Sequence, residues 1–189
     1  MNKQVTLEVG QDKLELALPL CKIPGTDLNI IAFDSMGDMK LIHEVAALLD
    51  KAIPTFDVLV CPEAKAIPIA QALCELRGTD YFVLRKSAKL YMEEPASIDV
   101  RSITTQKDQQ LWYCKRAAAK FRGKKVLLFD DVVSTGATLK VLEKFANDNE
   151  LSVCAKATVF AEGDARENKE IIFLGYLPII SDAELALEK

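Results

Sequence analysis

Apolar and polar residues alternate over residues 4–9 and again over residues 13–18, with Gly10-Gln11-Asp12 between the two runs. A period of two sends alternate side chains to opposite faces of a strand, and a polar break with a glycine supplies a turn, so this stretch predicts a β-hairpin. Pro19, Pro24 and Gly25 then punctuate a loop, and residues 28–33 form a short apolar strand or extended core segment. From residue 39 to 51 the period changes. Leu41, Ile42, Val45, Leu48 and Leu49 recur at helical spacing behind Asp38, a residue suited to capping. His43, the sole histidine, falls off that stripe and reads as a solvated side chain.

Continuous apolar runs follow at residues 57–61, 80–84 and 125–129, as in strands buried on both faces. Helices are expected after a loop at 62–66, running to about 77 and stopped by Gly78, and at 137–147, with further strands at 152–160 and 171–174. Between them lies a polar stretch from 85 to 110, in which 98–104 and 110–114 can pair as an antiparallel ribbon. Alternation of buried strand and amphipathic helix predicts an α/β fold: a mostly parallel twisted sheet with helices on both faces, plus the N-terminal β-hairpin and a small hood. A chain of 189 residues suits one domain with a full core, here 1–189, with 1–27 as the hairpin and hood region.

Charge and composition narrow the partners. A net charge of -4 argues against a general nucleic-acid binder, while leaving room for a small anion held by a local field. No run approaches the roughly 20 apolar residues of a membrane span, and the alternating N-terminus has no signal-like apolar core, so the expected location is the cytoplasm. Five scattered cysteines without a CxxC pair, beside one histidine, give no metal-ligand spacing. They are expected to be reduced, mostly buried thiols.

The stretch that carries chemistry is Val126 to Leu139, VLLFDDVVSTGATL. It is a buried strand that ends in two carboxylates, then a turn of small residues, then a helix start. Ligands of open α/β sheets gather at the carboxyl ends of the strands. A helix N-terminus offers free amides and the positive end of a dipole to a phosphate. Ser134, Thr135 and Thr138 add hydroxyls, and Gly136 lets the backbone curl closely round an anion. Asp130 and Asp131 would repel a phosphate placed directly beside them. A sugar between the charged ends of the ligand removes the conflict, because vicinal hydroxyls donate to carboxylates while the loop holds the phosphate. A divalent cation near those hydroxyls would offset the acid pair further.

This segment resembles the binding motif for 5-phosphoribosyl-1-pyrophosphate (PRPP) of type I phosphoribosyltransferases: hydrophobic strand, two acidic residues, two apolar residues, then small-Thr-Gly-small-Thr. The resemblance implies that Asp130 and Asp131 bind the ribose hydroxyls. It also implies that Val132, Val133, Ser134, Thr135, Gly136, Ala137 and Thr138 wrap the 5′-phosphate. Glu63, Ala64, Lys65 and Ala66, after an earlier strand, resemble the pyrophosphate loop, with Lys-Ala where adenine members commonly carry Arg-Gly. Arg85, Lys86 and Lys89 resemble the Arg-Lys-x-x-Lys segment of purine members that contacts the pyrophosphate end, often across a dimer interface. By the same resemblance, 90–112 takes the place of a mobile catalytic loop. Its Ile103-Thr104-Thr105-Gln106-Lys107 is closer to xanthine members and their repressor relatives than to the acidic-aromatic-Gly element of adenine members.

The implied enzyme is a Mg2+-dependent, PRPP-dependent pentosyltransferase, a homodimer, that gives a nucleoside monophosphate and pyrophosphate. The implied catalytic residues are Asp130, Asp131, Lys65 and Arg85. Mg2+ would meet Asp130 and Asp131 through water or substrate. The implied acceptor is a purine, adenine first: Glu162 suits a base edge rich in N–H donors, and Phe33 or Phe160 is placed to stack on the ring. The alternatives are a xanthine or other-base enzyme, or a non-catalytic PRPP-sensing regulator of the same fold. An orotate enzyme finds thin support, since its mobile loop usually carries lysines and a histidine.

Overall fold

The computed structural model describes residues 3–100 and 109–187. Its centre is a sheet of five parallel strands: β4 (Val58–Pro62), β5 (Asp80–Leu84), β8 (Lys125–Val133), β9 (Ser152–Glu162) and β10 (Ile171–Leu177), in the order β10-β9-β8-β4-β5. Three longer helices pack on it: α1 (Met39–Ala52), α2 (Ala66–Arg77) and α4 (Ala137–Asp148). The side-chain carboxylate of Asp38 accepts from the amide of Leu41 at 3.0 Å and starts α1. Gly78, at φ 63, ends α2 in the left-handed conformation that glycine adopts without strain.

The continuous apolar run of β8 is explained by its neighbours. Leu127 and Phe129 join the layer that contains Ile42, Val45 and Leu49 of α1 and Ile69 and Leu73 of α2. Val126 and Leu128 point the other way, into the layer with Leu142 and Phe145 of α4. A strand sandwiched between helical layers needs apolar residues on both faces. β5 was expected to be buried as well. It is instead the outer strand of the sheet, with only Leu84 fully buried, because among the described residues no strand pairs along its far side.

A second sheet, order β1-β2-β3-β11, joins β1 (Gln4–Val9), β2 (Leu14–Lys22) and β3 (Leu28–Ile31) to β11 (Ile180–Ser181). The predicted hairpin is therefore half of a four-stranded hood that the C-terminal tail completes. Asn29 fastens the closure: its side-chain amide donates to the Ile180 carbonyl at 3.2 Å and to Asp182 at 2.9 Å. A short helix, α5 (Asp182–Leu187), follows. The antiparallel ribbon forms between β6 (Pro95–Val100) and β7 (Gln109–Cys114), starting earlier than residue 98, and a short helix α3 (Lys115–Ala118) leads back towards β8. The strand expected to stop at Phe129 runs on through the acid pair to Val133. All five cysteines are free, but only Cys61 and Cys74 are buried; Cys21, Cys114 and Cys154 are half-buried. Among the described residues no helix is long and apolar enough to cross a membrane.

Candidate active site

β4, β5 and β8 run parallel, so their carboxyl ends open on one edge of the sheet. There they surround a cavity of about 400 Å³. The end of β4 supplies Glu63, Ala64 and Lys65, with Ala66 as the first residue of α2; the segment after β5 supplies Lys86; β8 supplies Asp130 and Asp131; and the first turn of α4 supplies Thr138. These residues are far apart in sequence, and the parallel topology alone brings them together. Gly136, at φ 73, precedes α4 and has no side chain to cap it, while the Thr135 hydroxyl accepts from the Ala137 amide at 3.4 Å. The other amides of that first turn can serve an anion. The peptide between Glu63 and Ala64 is cis.

The acid pair is held by backbone. The Asp131 amide donates to the Asp130 carboxylate at 3.0 Å, and the Thr158 hydroxyl donates to the Asp131 carbonyl at 3.0 Å. Lys65 stands opposite: its ammonium lies 3.6 Å from the Asp131 carboxylate and donates to the Phe33 carbonyl at 2.7 Å. Burial, and then the charge of Asp131, push the Asp130 carboxyl well above the usual carboxylate range. The folded protein thus holds the Asp130 proton to a higher pH than the unfolded chain does. That stability is fully present below about pH 4 and is lost as pH rises towards the raised folded-state value. Asp130→Asn, which cannot ionise, is expected to melt above the wild type at pH 7–8. The difference should shrink as pH falls to about 4, a trend that thermal denaturation across pH checks directly. A constant difference at all pH values would show that the ionisation of Asp130 carries no cost.

Other predicted residues sit elsewhere. The guanidinium of Arg85 is turned onto Glu63, Nε to Oε2 2.6 Å, and its backbone pairs with Trp112 rather than opening into the cavity. Lys89 donates to the Ser87 hydroxyl at 2.6 Å, away from the cavity wall. The Val133 side chain is core, and Val132 packs against core, so any contact these two make to a ligand is through backbone. Phe33 and Phe160 do not meet the expectation of stacking on a base. Both are buried and pack on each other edge to face at 4.9 Å, leaving no ring face for a ligand. The expected loop element Ile103-Thr104-Thr105-Gln106-Lys107 lies outside the described residues.

A second cavity, of about 430 Å³, lies beside the turn that leads from β8 into α4. Ser134 and Thr135 line it together with Gly163, Asp164, Arg166, Glu167, Tyr176 and Ile179. The Arg166 guanidinium lies 4.9 Å over the Tyr176 ring. Glu162, half-buried, ends β9 next to this cavity's Gly163. Sequence reasoning missed Tyr176, Arg166 and Asp164 here. The rule that sites gather at the carboxyl ends of parallel strands, applied to β9 and β10 as well as β8, points to them. Gln110 and Leu111, which line the first cavity, fall within the expected loop 90–112 but were not singled out there, and they arrive on the ribbon.

Comparison with known proteins gives a consistent result. A family model described as the phosphoribosyl transferase domain matches residues 35–186. The chain is 30% identical over 152 residues to the hypoxanthine/guanine phosphoribosyltransferase of Methanothermus fervidus, covering 78% of this chain and 70% of that protein. The crystal structure of adenine phosphoribosyltransferase from Thermoanaerobacter pseudethanolicus superposes with a TM-score of 0.63 at 24% identity, over 72% of this chain and 80% of that one. The Saccharomyces cerevisiae adenine phosphoribosyltransferase, complexed with an imino-altritol bisphosphate and adenine, gives a TM-score of 0.65 at 18% identity, over 82% and 93%. At these identities the two structural likenesses speak to the fold.

Proposed function

We propose, on the premise that this chain belongs to the phosphoribosyl transferase domain family, that it moves the 5-phosphoribosyl group of PRPP onto a purine base, adenine first, releasing pyrophosphate. The observation that carries this reading is one cavity that sets Asp130 and Asp131 against Lys65 and Lys86, beside the helix start after Gly136. The ligand it suits has a dihydroxylated middle and anionic ends.

In this reading the α4 amides and Thr138 hold the 5′-phosphate. The carboxylates accept from the ribose hydroxyls, and Lys65 and Lys86 face the pyrophosphate. Displacement at the anomeric carbon needs no protein nucleophile. The chain's task is to orient two reactants and to stabilise the charge that leaves. Arg85, clamped to Glu63, supports this by fixing the loop at the end of β4 rather than by touching the leaving group.

Mg2+ fits the residues present in a limited way. Among the described residues there is no cluster of three or more His, Cys, Asp or Glu side chains suited to a metal ion, while Asp130 and Asp131 lie side by side on the cavity wall. Two carboxylates with room for water and substrate oxygens is the set that Mg2+ usually accepts. When bound, it would offset the acid pair and the charge of the pyrophosphate.

The base is assigned to the second cavity, where Tyr176 offers an aromatic side chain and Glu162 ends the neighbouring strand. Carboxylates there favour a base that presents N–H donors. Residues 90–112 are assigned to a lid over the reactants and a second copy of the chain to a homodimer. A panel of adenine, hypoxanthine, guanine, xanthine, uracil and orotate with PRPP and Mg2+, read as mononucleotide by mass, tests the reading. Adenine is expected to turn over best, and Glu162→Gln to lower its kcat/KM relative to hypoxanthine by about fivefold, the worth of one charge-assisted hydrogen bond exchanged for a neutral one. Unchanged base preference in that variant would remove Glu162 from the base site. Saturable PRPP binding without product from any base would favour a PRPP sensor.

A further inference from the structure

One cation in the first cavity is shared between the sugar site and the hood. Lys65 donates to the backbone carbonyl of Phe33 at 2.7 Å while lying 3.6 Å from the Asp131 carboxylate. Phe33 sits in the short segment that leads from hood strand β3 to helix α1. The amide of the preceding residue, Ala32, donates to the Pro19 carbonyl of β2 at 2.9 Å, so the segment is tied to the hood at the 31–32 peptide and to the cavity at the 33–34 peptide, two further on. Nearby, Ser35 is 1% exposed and its hydroxyl has no hydrogen-bond partner among the described residues. Buried hydroxyls are normally paired, so the segment is not at its best-satisfied arrangement in this state.

We infer that Lys65 is a positioning residue that couples the segment from Ala32 to Asp38 to the occupancy of the cavity's anion site. The inference rests on the reading of that cavity as a pyrophosphate site. Without a ligand, the ammonium has a carboxylate and a carbonyl as partners. A multiply charged anion in the cavity is a stronger acceptor than a neutral carbonyl. The lysine turns to it, the Phe33 carbonyl is released, and the segment between hood and α1 loosens. The coupling is reciprocal: whatever fixes the segment in its unliganded position weakens the anion's hold on Lys65. Because the Phe33 ring remains packed on Phe160, the release is confined to backbone and need not disturb the core.

Inorganic pyrophosphate with Mg2+ is the probe. Calorimetry measures its binding, and amide hydrogen exchange follows the peptide spanning Ile31 to Asp38. In the wild type, saturating pyrophosphate should speed exchange in this peptide about tenfold or more, as loss of one charge-assisted hydrogen bond implies. Lys65→Met should show the fast exchange without ligand and no further response, and Lys65→Arg, which keeps a donor, should retain a response. Pyrophosphate that binds the wild type but leaves the peptide's exchange unchanged overturns the coupling and spares the reading of the site. Wild-type exchange in unliganded Lys65→Met overturns it equally. If pyrophosphate does not bind the wild type at all, the reading of the cavity fails, and the inference falls with it.

Discussion

Asp131→Asn is expected to lower kcat/KM for PRPP at least tenfold, about 1.4 kcal/mol of transition-state stabilisation, with little change in melting temperature. The side chain is nearly isosteric, and the backbone around it is fixed independently by the pairing of β8 with β9 and by the Thr158 hydroxyl. What changes is charge. A carboxylate accepts from sugar hydroxyls at every lone pair, whereas an amide offers one oxygen and turns a donor towards the other hydroxyl. Hydrogen bonds to an ionised acceptor contribute roughly 1.5–3 kcal/mol against about 1 kcal/mol for neutral pairs, so loss of a single such contact already reaches tenfold. Asp131 is the better of the two acids for this test because it faces Lys65 at 3.6 Å, whereas burial disfavours ionisation of Asp130. Steady-state kinetics with PRPP varied at saturating base measure the effect. Unchanged PRPP kinetics would place the sugar away from the end of β8.

The acid pair was legible because its chemistry is contiguous: strand, carboxylates, glycine turn and helix start lie within Val126 to Leu139, and the left-handed glycine and the start of α4 appear where that pattern puts them. Period located α1, the Gly78 stop marked the end of α2, and the turn of small residues marked the start of α4; the apolar stripes of all three meet the sheet. What the sequence hid is pairing between distant segments. Nothing around Ile180 announces that two residues of tail will close the hood against Asn29. Arg85 reads as a free cation at a strand end, yet Glu63, 22 positions earlier, claims it across two parallel strands. Phe33 and Phe160 carry the right chemistry for stacking on a base, but they satisfy one another, a contact fixed only by the packing of α1 and the hood on β9. In each case the deciding partner is set by topology, which local periodicity does not encode.

Gly175→Ala is expected to destabilise the protein by about 1–3 kcal/mol, although an alanine in a strand would ordinarily be the better residue by up to about 1 kcal/mol. Gly175 stands opposite Phe160 in the β10–β9 register. A Cβ there would lie 2.6 Å from Cε1 and 2.9 Å from Cδ1 of that ring, well inside contact distance, with Val9 of the hood 3.6 Å away. The ring has nowhere to retreat: Phe160 is fully buried and rests edge to face on Phe33. A buried glycine in a strand marks such a close approach. For a chain of this size the loss corresponds to a melting temperature lower by roughly 2–12 °C. Phe160→Leu in the same background removes the obstructing ring edge and should return part of that loss, so a double-mutant cycle should show coupling between the two positions of at least about 0.5 kcal/mol. Because Phe33 also offers its carbonyl to Lys65, a ring pushed off its seat is felt in the cavity as well. PRPP binding in Gly175→Ala should weaken below its own melting transition, where a variant that was merely less stable would bind normally. An unchanged melting temperature would show that the Phe33–Phe160 pair yields freely and does not hold the hood against the sheet.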